Sequence, residues 1–360
     1  MTNLKILAQP RISIYSELFP FYRWRSHLKD EGINFEVIQD AQNKRLLGGD
    51  HLLIQSKYYS NGWRNIKNRT VENENNLIDF LTMVRKDSGN VIWFDQSDST
   101  GFLDFPVINF VDSFVVKQML KDINYYAEPH GNKNSRIWLN QEFDSENQDF
   151  IPCPKDQLHK IKLGWNIGYN DYRQFRQSFK FMSNYIGYNI YPLSVTSPTK
   201  SRLFDTAFRG NVNYGDVQAI ASQRNNILKV VKELESSFNI AQGKKISKSA
   251  YRKELKDSKV CISPFGYGEI CYRDFEAFLS GALIIKPSMD HLITFPNVYI
   301  ANQTYIPISW DLNDLQSKFE NVISNYDSYI DIAKQGQNNY LNIVNNPECF
   351  VQAVKRVLSK

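Results

Sequence analysis

Chemistry in this chain concentrates in one run. It reads Ser263-Pro264-Phe265-Gly266-Tyr267-Gly268-Glu269-Ile270-Cys271-Tyr272-Arg273-Asp274-Phe275-Glu276 and continues through Gly281 to Ile284-Ile285-Lys286-Pro287. A strand-like stretch over 259–263 enters a Gly-x-Gly turn, and a helix is predicted over 269–281. In an open α/β sheet, ligands bind in the crevice beyond the C-terminal ends of the strands. The helix that follows such a turn offers N–H groups and a positive dipole end, both suited to phosphate. At about 100° per residue, Glu269, Tyr272, Arg273, Glu276 and Ser280 share one stripe, with Phe275, Phe278 and Leu279 opposite. Two carboxylates and a guanidinium on that stripe face a cleft. Alternatively they form a solvated face with a Glu269–Arg273 or Arg273–Glu276 ion pair.

Three further places carry candidate groups. Arg209 follows the apolar stretch Phe204-Asp205-Thr206-Ala207-Phe208. It reads either as part of a phosphate pocket at a strand end or as a surface residue. Asp98, ahead of Asp95, lies in Trp93-Phe94-Asp95-Gln96-Ser97-Asp98-Ser99-Thr100-Gly101. A carboxylate there would serve as a general base toward a hydroxyl, or as a nucleophile or ion-pair stabiliser. The same run would equally make an Asx turn or a helix cap. Gly164-Trp165-Asn166-Ile167-Gly168-Tyr169 offers an aromatic surface for a sugar, or a loop packed on the core by Trp165.

The elements that must position these groups alternate between strand-like and helix-like patterns. Strands are predicted at 11–15, 33–38, 51–55 and 90–94, with helices at 22–29 and 76–86. Continuous apolar strands between amphipathic helices imply a buried parallel sheet, so 1–120 reads as a Rossmann-like layer. Residues 121–200 are rich in Asn, Tyr, Gly and Pro, and read as an extension ending in a linker over 192–200. Alternation resumes with strands at 204–208, 259–263 and 282–285 and helices at 216–238, 247–257 and 269–281. From residue 312 the tail reads as helical, broken at Pro347.

Composition bounds the function. In 360 residues, 42% are hydrophobic, enough to fill two cores and too many for a disordered chain. No run approaches the ~20 apolar residues of a spanning helix, and the first residues lack the pattern of a secretory leader. Lysine and arginine number 43 against 38 acidic residues, a net charge of +5. That balance suits an anionic ligand, and no nucleic-acid-binding motif accompanies it. Cys153, Cys261, Cys271 and Cys349 form no C-x-x-C pair, so neither a zinc site nor a disulfide framework is expected.

The run at 263–287 resembles the donor-site signature of GT-B glycosyltransferases. Glu276-Ala277, Gly281 and Ile284-Ile285 are similar to the second half of the group 1 motif. Arg273, three residues before Glu276, is similar to the exostosin-type R-x-x-E-A pattern, and Tyr251, Leu255 and Ser258 resemble its lead-in. The chain departs from the group 1 E-x7-E spacing: Gly268 stands where the first glutamate would fall, and Glu269 follows. The resemblance implies an α/β, GT-B fold: two Rossmann-like domains facing across a cleft. Residues 1–198 would form the acceptor domain and 199–345 the donor domain, with 346–360 a helix packing back on the first. It implies sugar transfer from a nucleotide-sugar to a hydroxyl of a glycan or lipid-linked glycan, such as a surface polysaccharide, without a metal or other cofactor. Gly266, Tyr267, Gly268, Glu269, Tyr272, Arg273, Glu276 and Arg209 would bind the donor. Glu276 would hold the ribose hydroxyls, and Arg273 the phosphate charge, as a catalytic group with Asp98 or Asp95. Cytoplasmic location, peripherally at a membrane face, completes the expectation. Two alternatives stand beside it: an epimerase or phosphorylase on the same scaffold, and a non-catalytic nucleotide- or glycan-binding module.

Overall fold

The structure is a computed structural model. It describes residues 1–9, 17–64, 69–101, 103–128, 151–168, 194–209, 218–243 and 246–359. The strand read at 11–15 lies outside these residues. The first strand instead is β1 (Thr2–Leu7), which pairs in parallel with β2 (Ile33–Ile38) and β3 (His51–Gln55). With β4 (Val91–Asp95), β5 (Ser113–Val116) and β7 (Ile161–Leu163), they form a parallel sheet in the order β2-β1-β3-β4-β5-β7. Every residue of β4 is buried, as a strand covered on both faces requires. The short β7 comes from the region read as an extension and adds the sheet's last described strand.

Helix α3 (Val71–Asp87) starts earlier than its apolar spacing suggested. Thr70 caps it by accepting from the Asn73 amide at 3.1 Å, and Glu72 and Glu74 suit its first turn. The helix read at 22–29 is two short ones, α1 (Phe19–Arg23) and α2 (Arg25–Asp30), broken at Trp24.

The second half repeats the plan. Strands β8 (Phe204–Phe208), β9 (Ile240–Gln242), β10 (Ser258–Ile262), β11 (Leu283–Pro287) and β13 (Ile306–Ile308) make a parallel sheet in the order β13-β11-β10-β8-β9. Helices α4 (Gln218–Leu234), α5 (Lys248–Lys256), α6 (Tyr272–Ser280), α7 (Leu315–Ser324) and α8 (Tyr326–Asn345) belong to this half. The architecture is GT-B: two Rossmann-like domains meeting along a cleft.

Three features join the halves. A short antiparallel ribbon pairs β6 (Gln118–Leu120) of the first with β12 (Leu292–Thr294) of the second. Segment 194–203 is stapled to the second half, where the buried Arg202 guanidinium donates to the carbonyls of Ser197, Lys256, Ser258, Ser280 and Gly281 at 2.9–3.0 Å. After the break at Pro347, α9 (Pro347–Leu358) crosses to the first half. There the Phe350 ring lies 5.2 Å from Phe21, 5.2 Å from Trp24 and 5.0 Å from Trp165. Trp165 is fully buried and donates to the Glu17 carbonyl at 2.9 Å, so it packs the core and offers no face to a sugar. One apolar core consequently runs through both halves, from Leu4 to Phe278 and Leu358.

Candidate active site

The chain beyond the C-terminal ends of β4, β5 and β10 meets between the two halves. The loop after β10 touches the loop after β4: a Cβ on Gly268 would overlap the Asp98 carbonyl. Only glycine allows that approach. Beside it, Glu269 is fully buried and reaches into the first half. It accepts from Ser99 Oγ at 3.1 Å, from Thr100 Oγ1 at 2.8 Å and N at 3.3 Å, and from Gln118 Nε2 at 3.4 Å. The helix expected from 269 therefore begins only at Tyr272. Glu269 leaves the predicted stripe to clasp the two halves together, a role that suits a buried carboxylate surrounded by donors.

On the first half, Asp95 is fully buried and serves the backbone. Its carboxylate accepts from the Ser97 amide at 2.8 Å and the Asp104 amide at 2.7 Å, which is the Asx-type turn its sequence allowed. Arg64 lies beneath it, 2.9 Å from Asp104 and donating to Ser97 Oγ at 2.7 Å. Burial lifts the Asp104 carboxyl to about 7, against the pull of Arg64 and with help from Asp95. Asp98 is the one carboxylate of the group whose side chain is more than half exposed, at 57%. Lys117 donates to it at 2.8 Å and lies 3.6 Å from Glu17. Desolvation opposes ionisation of Asp98, but Lys117 and Lys57 overcome it and hold the carboxyl at about 2. A carboxylate so acidic is a fixed counter-charge and a poor proton acceptor.

On the second half, Gly266 N donates to the Gly268 carbonyl at 2.9 Å, closing the loop on itself. Tyr267 and Tyr272 stand about half exposed on either side of the buried Glu269. Arg273 and Glu276, both half-buried, lie one turn apart on α6. Arg273 lies beside Tyr251 of α5, and its guanidinium lies over the Phe208 ring at 5.8 Å. Burial opposes its charge, yet the shift is upward and Arg273 stays protonated beside the Tyr251 hydroxyl. Arg209, next to Phe208, is held differently. Its Nε and Nη2 bind Glu254 of α5 bidentately at 2.6 and 2.8 Å. Positions 251 and 254 on one face of α5 thus flank the two arginines, one with a neutral hydroxyl and one with a carboxylate.

The N-terminus of α6 is not an open anion site. Its own Asp274 sits in the first turn and accepts from the Cys271 amide at 3.1 Å. Sequence reasoning passed over Asp274, and also Arg224, a buried side chain of α4 whose Nε lies 3.5 Å from the Phe265 carbonyl. Lys286, near the end of the same run, is fully buried on β11 and pairs with Asp274 at 3.2 Å. Among the described residues, no group of three or more His, Cys, Asp or Glu is arranged to hold a metal ion. Nor is any described helix long and apolar enough to cross a membrane. The four cysteines are free thiols, Cys153 and Cys261 buried and the others half-buried.

The sequence matches no protein-family profile and no curated protein. Among solved structures it is similar to an alpha-glucosyltransferase in complex with UDP and a 13-mer DNA containing a HMU base, with 9% identity, a TM-score of 0.49 and 100% of both chains covered. It is similar to UDP-GlcNAc 2-epimerase from Neisseria meningitidis bound to UDP-GlcNAc, with 14% identity, a TM-score of 0.44, and 99% of this chain and 100% of that one covered. It is also similar to an alpha1,3-fucosyltransferase, with 10% identity, a TM-score of 0.45, and 100% and 90% covered.

Proposed function

We propose that the protein transfers a sugar from a nucleotide-sugar to a hydroxyl of a glycan or lipid-linked glycan. The observation that carries this reading is Arg273. It lies in the first turn of α6, with its guanidinium over the Phe208 ring at 5.8 Å and the Tyr251 hydroxyl of α5 beside it. A guanidinium so placed is suited to the charge that grows on a departing nucleotide phosphate. Glu276, one turn along, would accept hydrogen bonds from the ribose hydroxyls, and the exposed rings of Tyr267 and Tyr272 would stack on the base or the sugar. In the reaction the bond between anomeric carbon and phosphate oxygen breaks and a bond to the acceptor oxygen forms. The acceptor's proton passes to the leaving phosphate or to solvent, with Asp98 as a fixed negative charge nearby. The net positive charge suits a site at the cytoplasmic face of a membrane, reached peripherally.

A second reading is a nucleotide- or glycan-binding module without turnover. The observation favouring it is the commitment of both first-half carboxylates, Asp95 to backbone amides and Asp98 to Lys117. A melting-temperature screen with UDP, GDP, CMP and their sugars, followed by turnover with glycan acceptors, separates the two. A transferase shows a stabilising nucleotide and product formation, whereas a module shows only the first. No shift with any nucleotide sinks the transferase and the nucleotide-binding module alike.

A further inference from the structure

Beneath the cleft, one carboxylate gathers four separate pieces of chain. Asp274 is fully buried. It accepts from Ser263 Oγ at 2.5 Å, from Tyr299 OH at 2.7 Å and from the Cys271 amide at 3.1 Å. The Lys286 ammonium lies 3.2 Å from it. These donors come from the residue after β10, the segment following β12, the cap of α6 and the end of β11. Lys286, itself fully buried, also lies under the Phe265 ring at 5.0 Å. The amide of Phe265 in turn donates to Gln223 at 3.0 Å.

An ion pair excluded from water must meet a large desolvation cost. Further hydrogen bonds offset that cost for the Asp274 carboxylate, and the Phe265 ring lies against the ammonium. Such an arrangement has few alternative geometries. Breaking one member leaves the other charge buried and unpaired, so the first turn of α6 cannot shift relative to β10 and β11 without a large penalty. That turn carries Tyr272 and Arg273, the residues before Asp274. Asp274, Lys286 and Ser263 are fully buried, and Tyr299 is buried beside them.

We infer that Asp274 and Lys286 are positioning residues: buried beneath the site, they set the first turn of α6 so that Arg273 meets the phosphate of the donor. This rests on the donor-site reading proposed above. A group placed within about half an ångström by its supporting contacts binds and stabilises charge far better than one left loose. The loss on breaking the tie should therefore fall on recognition of phosphate and spare recognition of the nucleoside.

The experiment uses the full chain. Whichever of UDP, GDP or CMP binds the wild type best is titrated by calorimetry, alongside its parent nucleoside. The same titrations are run on Lys286→Met and Asp274→Asn, with circular dichroism to establish folding at the assay temperature. The expected result is a tenfold or greater weakening for the nucleotide and a change of less than twofold for the nucleoside. Unchanged nucleotide affinity in a folded variant overturns the inference, as does equal weakening of nucleotide and nucleoside, which is what general loosening would give. Should neither variant fold, Tyr299→Phe, which keeps the ion pair and removes one donor, decides the matter. A threefold or greater weakening confined to the nucleotide supports the positioning role, and parity with the wild type refutes it. If the wild type binds none of the three nucleotides, the donor-site reading fails and this inference falls with it. If the wild type binds and the variants bind equally well, only the inference falls.

Discussion

One loop follows β4 in the first half and one follows β10 in the second, and they touch at Gly268 and Asp98. Topology marks both as sites. Their charges are used in opposite ways. After β4 each acidic group described is committed: Asp95 to two amides, Asp104 to Arg64, Asp98 to Lys117. After β10 the carboxylate of Asp274 is sunk beneath the loop, while Arg273 lies beside the neutral Tyr251 hydroxyl. Position in the fold nominates a site, and the local balance of partners decides whether its charges are available to a ligand.

The largest effect should come from Arg273. Arg273→Ala is expected to lower kcat/KM by about 10³-fold, roughly 4 kcal/mol, the scale of losing one preorganised group on developing charge. Arg273→Lys should recover only part of it, because an ammonium cannot bind bidentately. Arg209→Ala, which removes a side chain already neutralised by Glu254, should cost less than tenfold. Steady-state kinetics with the donor found in the nucleotide screen measures all three. Equal losses at Arg209 and Arg273 would erase the distinction between the arginine paired with a carboxylate and the one beside a hydroxyl.

Next in size is the contact itself. Gly268→Ala puts a methyl group into the Asp98 carbonyl, where backbone on both sides leaves little room to yield. Overpacking of this kind costs about 3 kcal/mol, and in a chain of this size that lowers Tm by about 4 °C. Differential scanning calorimetry reads it directly. A variant melting with the wild type would mean that the halves separate freely in solution and that their contact contributes nothing to stability.

Much of this was legible in the sequence, for identifiable reasons. The unbroken apolar run of β4 announces a strand covered on both faces, Ser247 marks the start of α5, and Pro347 separates α8 from α9. The group at 263–276 was legible because its members are neighbours in the chain. Glu269 was misread because a stripe counted at helical spacing assumes that the helix has already begun. Its start is set by Asp274 together with Lys286 and Tyr299, which lie farther along the chain. The partners of Glu269, Thr100 and Gln118, are more remote still. The ribbon of β6 and β12 has three residues on each side, too few to carry a periodic pattern. The pairing of Arg209 with Glu254 is likewise a contact between elements that no local spacing encodes.

The smallest expected effect is the most discriminating between the two loops. Asp98 was the leading candidate for a base, and its surroundings make it a counter-charge. Its folded-state value of about 2 lies below the ordinary 3.8. A depressed carboxyl contributes stability that is present above the unfolded value and disappears as pH falls through the folded one, so the window runs from about pH 4 down to about pH 2. Asp98→Asn should therefore flatten the acid limb of Tm against pH within that window, by a small amount because the side chain is more than half exposed. Near neutral pH the same variant should change kcat/KM by less than about fivefold, since a general base would be worth about 10²–10⁴-fold. Lys117 keeps a weaker partner in Glu17 at 3.6 Å, so the fold should survive the change. A loss of 10²-fold or more with an unaltered melting curve would return Asp98 to the reaction as its proton acceptor, and the two loops would then share the chemistry rather than divide it.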